Sequence, residues 1–162
     1  HRPGIARGLI LARPAWIAAS APANNIPNAL VGQLLAELSQ EDARKAFEAS
    51  EIARLLAEKA PDNLASLRGF FSREPQATTA ALLQAIAADG PGVSEEDLRN
   101  LEIPTLIIGH DIDYIHPLSY AAAISQLIPG SRLVSVTPKA VSRATYLEDF
   151  HTAITEFLEN FL

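Results

Sequence analysis

The stretch of sequence that decides the fold reads Pro104-Thr-Leu-Ile-Ile-Gly109 and continues as His110-Asp-Ile-Asp-Tyr-Ile-His-Pro117. A short, continuous apolar run favours a strand that is buried on both faces, as strands of parallel sheets are. The polar residues after it then stand at the carboxyl end of that strand, where open parallel sheets hold their ligands. This stretch therefore predicts both the type of sheet and the place where chemistry is expected.

Gly8-Leu-Ile-Leu-Ala12 carries the same strand pattern. A third strand with a weaker pattern is Arg132-Leu-Val-Ser-Val136, which Pro138 closes. Apolar residues recur at helical spacing over residues 118–128, between the second and third strands, and stop at Pro129-Gly130. Strand, helix and strand in this order form one βαβ unit. We therefore predict an α/β fold with a three-stranded parallel sheet.

The segment from about residue 17 to residue 100 is rich in alanine and has no strand pattern. Its capping signals predict several helices: one from Ser39 to residue 60, one beginning at Asp62, one over residues 78–88, and a short one capped by Ser94. Such an insertion is far longer than a crossover between parallel strands requires, which is about a dozen residues. We predict one domain over residues 1–162 with an inserted helical lid.

The last predicted element is an amphipathic helix that closes the domain against the sheet. Its apolar residues fall at helical spacing on one stripe. They are Tyr146, Phe150, Ala153, Ile154, Phe157, Leu158 and Phe161.

Composition excludes several classes of function. The chain has 162 residues and a net charge of −6, which argues against a nucleic-acid surface. It contains no cysteine for a disulfide or thiolate metal site, and its 4 histidines are scattered. No cofactor motif occurs, neither a P-loop nor G-x-G-x-x-G, and we expect no cofactor. The apolar runs are too short to cross a membrane, so we expect a cytoplasmic protein. Because the chain has no methionine, we expect a processed product or a piece of a longer chain.

The loop after the second strand holds two carboxylates and two imidazoles. Asp111 or Asp113 is a candidate for the acid of a catalytic triad, which orients a histidine base; alternatively, either one simply ends the strand and caps the next helix. We interpret His116 as a turn residue, and His110 as facing solvent or bonding a neighbouring loop. A metal site of Asp111, Asp113 and His116 lacks a distant ligand, so we expect no metal site. Trp16, which follows the first strand, either lines a pocket or is a packing residue at the end of that strand.

The order of these elements resembles the C-terminal half of an α/β-hydrolase. The resemblance covers the whole chain and rests on the two stretches quoted at the start, on Ile128-Pro-Gly-Ser-Arg-Leu133 before the last strand, and on Phe150-His-Thr-Ala-Ile-Thr-Glu-Phe-Leu158 in the closing helix. Residues 1–11 resemble the end of the helix after the nucleophile and the strand that follows it.

The resemblance implies that the nucleophile elbow precedes this chain, which contains no G-x-S-x-G. It implies that the inserted helices are the lid and that Asp113, in Asp113-Tyr-Ile-His-Pro117, is the triad acid, with Asp111 as the reserve. The parent protein is then expected to hydrolyse an ester or amide bond of a small molecule by a Ser-His-Asp-like mechanism, and this chain alone to be inactive.

The chain departs from the family pattern where the histidine base is expected. The stretch Thr137-Pro-Lys-Ala-Val-Ser-Arg-Ala144 contains no histidine, and His151 lies within the closing helix. Lys139 and Arg143 are either solvated or bind an anionic group. The alternative is therefore a non-catalytic relative that binds a small molecule or a protein. The resemblance also leaves the strand at residues 8–12 without its neighbour. An unpaired apolar edge predicts either a homodimer joined there or retention of the missing half as a separate piece.

Overall fold

The protein is described by a computed structural model covering residues 5–159. It divides into two compact units. The sheet unit contains the described residues up to Ala18, Gly92–Ile112, and the described residues from His116 onward. The helical unit contains Ala19–Pro91 together with Asp113–Ile115.

The sheet unit is built on three parallel strands in the order β1-β2-β3. They are β1 (Leu9–Ala12), β2 (Thr105–Gly109) and β3 (Arg132–Ser135). Ile10 is paired with Leu106 and Leu106 with Arg132, which fixes the register. The predicted three-stranded parallel sheet is confirmed.

Strand β2 is buried along its whole length because its two faces pack on different helices. Leu106 and Ile108 pack in one apolar cluster with α8 (Arg143–Glu159), whereas Ile107 packs in another with α7 (Leu118–Leu127). Successive side chains of a strand point to opposite faces, so a strand covered on both sides needs apolar residues at every position. This explains the uninterrupted apolar run.

The closing helix α8 buries Tyr146, Ala153 and Phe157, as predicted. Leu158, which was also predicted on the buried stripe, is 49% exposed. It follows Phe157 by about 100° around the helix, which carries it off the packed face. Phe161 lies outside the described residues.

The helical unit has its own core, in which five α-helices and two 3₁₀ turns meet. The helices are α1 (Ile26–Glu37), α2 (Gln40–Glu48), α3 (Glu51–Lys59), α4 (Pro61–Arg68) and α5 (Gln76–Ala88), and the turns are Ala23–Asn25 and Gly69–Ser72. Phe47 is fully buried, and the centroid of its ring lies 5.5 Å from that of Phe71. The predicted helical insertion therefore forms a compact body.

Two details of the predicted insertion are corrected by the structure. The helix predicted from Ser39 to residue 60 is two helices, because Ser50 caps the second one: its Oγ accepts a hydrogen bond from the Ala53 N–H at 3.1 Å. The short helix capped by Ser94, α6 (Glu95–Arg99), belongs to the sheet unit and not to the helical one. Its predicted cap is confirmed as a capping box between Ser94 and Asp97.

The described helices include none that is both long enough and apolar enough to cross a bilayer.

The contact between α1 and α5 depends on Gly32. A Cβ atom at this position would lie 3.0 Å from the carbonyl oxygen of Ala80 and 3.0 Å from the backbone nitrogen of Gln84. We predict that Gly32→Ala forces the two helices apart and lowers the free energy of unfolding by about 1–3 kcal/mol.

Gly69→Ala is the matched control, measured beside it by urea unfolding. Gly69 has a helical φ of −64° and open space around its Cα, so alanine should raise the free energy of unfolding by about 0.5–1 kcal/mol. Equal effects of the two substitutions would contradict the proposed close packing at Gly32.

Candidate active site

The chemically rich loop begins where β2 ends, at Gly109. A Cβ atom on Gly109 would lie 3.1 Å from Cδ1 of Leu118 and 3.3 Å from Cβ of Ala121. The first turn of α7 therefore packs so closely on the end of the strand that a side chain at position 109 would displace its neighbours by a few tenths of an ångström. Of the residues between them, Asp113–Ile115 belong to the helical unit and the others to the sheet unit.

Burial separates the two candidate carboxylates of this loop. Asp113 is 5% exposed, whereas Asp111 is exposed to solvent. A buried carboxylate is costly unless it accepts hydrogen bonds. Asp113 Oδ1 accepts one from Nδ2 of Asn63 at 3.0 Å. Asp113, and not Asp111, has the environment of a carboxylate that is held in one orientation.

Asn63 was missed by sequence reasoning. It lies in the first turn of α4 and is 4% exposed. Its Oδ1 accepts hydrogen bonds from the backbone N–H groups of Tyr114, at 2.7 Å, and Ile115, at 3.3 Å. Asn24 holds the same segment from another side, because its Nδ2 donates to the carbonyl oxygen of Ile115 at 2.6 Å. No local pattern signals these contacts, which join residues about fifty to ninety positions apart.

His110 is buried rather than facing solvent. Only 2% of it is exposed, and its ring meets the ring of Tyr146 edge to face with 6.0 Å between centroids. The Nζ atom of Lys139 lies 4.9 Å from the centroid of the same tyrosine ring. His110 and Lys139 therefore pack on one aromatic side chain of α8.

His116 is held by an arginine. Nη2 of Arg13 lies 3.2 Å from Nδ1 of His116. A guanidinium can only donate, so Nδ1 must accept, and the ring hydrogen then sits on Nε2. Nδ1 is thus occupied by Arg13, which fits a structural role and not that of a base. Arg13 has a φ of 53°, a conformation that side-chain-bearing residues rarely adopt.

The loop after β3 has a defined structure without a histidine. The backbone N–H of Thr137 donates to Oδ2 of Asp149 at 2.8 Å, and the carbonyl oxygen of Pro138 accepts from Val141 and Ser142. His151 lies on α8 and is exposed. Hydrogen bonds from the side chain and backbone of Thr137 lower the pKa of Asp149.

No group of three or more histidine, aspartate or glutamate side chains among residues 5–159 is arranged to hold a metal ion. Trp16 is half-buried.

Comparison of this architecture with solved structures identifies the fold. A hydrolase from Pseudomonas aeruginosa PA01 matches 98% of this chain with a TM-score of 0.61 and 21% identity. MenH from S. aureus matches 95% with a TM-score of 0.62 and 19% identity, and an enol-lactonase from Burkholderia xenovorans matches 94% with a TM-score of 0.58 and 19% identity. The chain has a partial α/β-hydrolase fold.

The α/β-hydrolase resemblance drawn from the sequence is thus confirmed at the level of the fold. This chain spans 57%, 59% and 56% of the lengths of those three proteins. No protein-family model matches the sequence, and no curated protein does so either.

The bond between Thr137 and Asp149 gives a pH-dependent prediction. Because folding lowers the pKa of Asp149, this group stabilises the fold above its unfolded pKa, about 3.9, and the stabilisation is lost as the pH falls through the folded value. We predict that Asp149→Asn makes the free energy of unfolding less dependent on pH between about pH 5 and pH 2.

Thr137→Val is the companion variant, with both measured by urea unfolding at a series of pH values. It removes the side-chain hydrogen bond and keeps the backbone one, so it should give an intermediate pH dependence. A slope unchanged in both variants would show that Thr137 does not perturb Asp149.

Proposed function

We propose that this chain is the C-terminal part of an α/β-hydrolase that cleaves an ester or amide bond of a small molecule, and that Asp113 is its triad acid. The observation that carries the proposal is the buried, hydrogen-bonded Asp113 carboxylate in the loop after a central parallel strand. That is where an acid can hold an imidazole in one tautomer and stabilise the imidazolium that forms.

In the proposed reaction a serine oxygen attacks the substrate carbonyl while a histidine takes the serine proton. Backbone N–H groups hold the oxyanion, and the histidine then returns the proton to the leaving group. Water repeats the sequence to release the acid. The serine and the oxyanion donors are assigned to the part of the parent protein outside this chain. The histidine base is not assigned to residues 137–144, because that stretch contains no histidine.

The fold neighbours support this reaction class. One of them is an enol-lactonase, and a lactone is a cyclic ester. The net charge of −6 supports a small-molecule substrate over a nucleic acid. We place the protein in the cytoplasm, away from membranes.

The helical unit is proposed as the lid. Phe47, Leu56 and Phe71 are at most 5% exposed in its core, so they hold the lid together and do not line a pocket. Substrate selectivity would then come from the less buried residues of this unit.

The proposal predicts where activity is found. This chain alone should hydrolyse p-nitrophenyl acetate no faster than buffer. In the longer protein that the proposal requires, Asp113→Asn should lower kcat by about 10⁴-fold, because an asparagine cannot fix the histidine tautomer.

Asp111→Asn is the matched control in that longer protein. Its carboxylate is exposed, so kcat should stay within roughly a factor of two. Equal kcat for the wild type and Asp113→Asn would overturn the assignment, as would hydrolysis by this chain alone.

A second candidate is a non-catalytic relative that binds a small molecule or a protein. The absence of histidine from residues 137–144 and the exposure of His151 favour it. A parent protein with no serine at its nucleophile elbow would support this candidate and contradict the hydrolase proposal.

We further propose that the chain forms a homodimer along the edge of β1. Among residues 5–159, β1 pairs with β2 alone. The N–H groups of Leu9 and Arg13 donate to carbonyl oxygens on the β2 side, those of Pro104 and Ile108. Because N–H groups alternate along a strand, that of Ala12 faces the other edge, where a second strand can bind.

Ala12→Pro tests the dimer. Proline removes only the outward-facing donor, so the β1–β2 pairing should survive while the proposed dimer dissociates. Sedimentation velocity should show a dimer for the unmodified chain and a monomer for the variant. A monodisperse monomer of the unmodified chain contradicts the proposal.

A further inference from the structure

The strongest unexplained feature is a single side chain that contacts three consecutive residues of a distant loop. Asn63 binds the Asp113 carboxylate and the backbone N–H groups of Tyr114 and Ile115. It does this from the first turn of α4, where an asparagine would ordinarily be expected to bond to its own helix.

The chemistry of the contacts fixes the orientation of the Asn63 amide. Backbone N–H groups only donate, so the atom facing Tyr114 and Ile115 must be Oδ1. The other end is then the NH₂ group, which must donate to Asp113. The carboxyl oxygen Oδ1 of Asp113 is therefore the acceptor at 3.0 Å.

Asparagine meets both requirements at this position, whereas aspartate and leucine do not. Aspartate keeps the acceptor for the two N–H groups but has no donor for Asp113, and it brings a second negative charge next to the first. Leucine has a similar size and provides neither group. Because Asn63 is 4% exposed, water cannot easily replace what either substitution removes.

We propose that Asn63 is a positioning residue that fixes the Asp113 carboxylate, by binding one of its oxygens and both following N–H groups. The carboxylate is thereby held in one orientation, which a triad acid needs in order to orient its histidine. This inference rests on the proposed function of Asp113. It adds that the acid is oriented by the helical unit, since Asn63 and Asp113–Ile115 all belong to that unit.

The first test measures hydrogen exchange of the Tyr114 backbone N–H in this chain by NMR. Asn63→Leu should reduce its protection at least about tenfold relative to the most protected amides, whereas Asn63→Asp should keep it, because the acceptor remains.

Asn28→Leu is the matched control. Asn28 is a buried asparagine of the same unit, 8% exposed, whose Nδ2 donates to Asn25 Oδ1 at 3.0 Å, so its loss should leave Tyr114 protected. Unchanged Tyr114 protection in a folded Asn63→Leu overturns the inference.

The second test is a double-mutant cycle on kcat in the longer protein. Asn63→Asp should lower kcat by about 10²-fold with little change in KM, because the acid is displaced. The double variant Asn63→Asp/Asp113→Asn should have the kcat of Asp113→Asn alone. If Asn63 contributed only to stability, the kcat of the folded Asn63→Asp protein would equal that of the wild type.

The same double variant is also the control for misfolding of Asn63→Asp. It exchanges the two side chains, which places an amide at position 113 and a carboxylate at position 63. One donor and one acceptor then face each other again, so thermal stability should return toward wild type while kcat stays low.

The proposed role of Asp113 and the proposed role of Asn63 can be contradicted by different results. An unchanged kcat in Asp113→Asn removes the role of Asp113, and this inference with it. A low kcat in Asp113→Asn beside a wild-type kcat in Asn63→Asp overturns this inference alone.

Discussion

The sheet unit depends on the burial of one five-residue strand from both sides. Leu106 and Ile108 of β2 pack on one face with α8, and Ile107 packs on the other with α7. All five residues of β2 are buried, while β1 and β3 are more exposed. Because the strand is central and fully buried, the loop that carries Asp113 begins from a closely packed part of the sheet unit.

The elements that could be predicted from the sequence are those that a pattern of neighbouring residues indicates. The continuous apolar run of β2 predicts a strand, since a strand covered on both faces has apolar residues at every position. Ser94 and Asp97 form a capping box within four residues of chain. The break at Ser50 has a local signal of the same kind, but helix-forming residues on both sides mask it.

The part of the site that could not be predicted depends on distant pairing. Asp113 is recognisable because it follows a strand, but nothing near it distinguishes its environment from that of Asp111. Burial and Asn63 make the difference, and Asn63 lies 50 residues away. The hydrogen-bond partner of His116 is likewise distant, because Arg13 lies 103 residues away. Chemistry-bearing residue types are visible in a sequence, whereas their hydrogen-bond partners are not.

The division of the chain has a consequence for how such a fold can be altered. The helical unit is not one continuous insertion, because Asp113–Ile115 are part of it although α6, β2 and the start of the loop separate them from Pro91. An exchange of this unit between related proteins that moves only residues 19–91 would leave a foreign tripeptide facing Asn24 and Asn63. Such an exchange therefore has to move residues 113–115 together with residues 19–91.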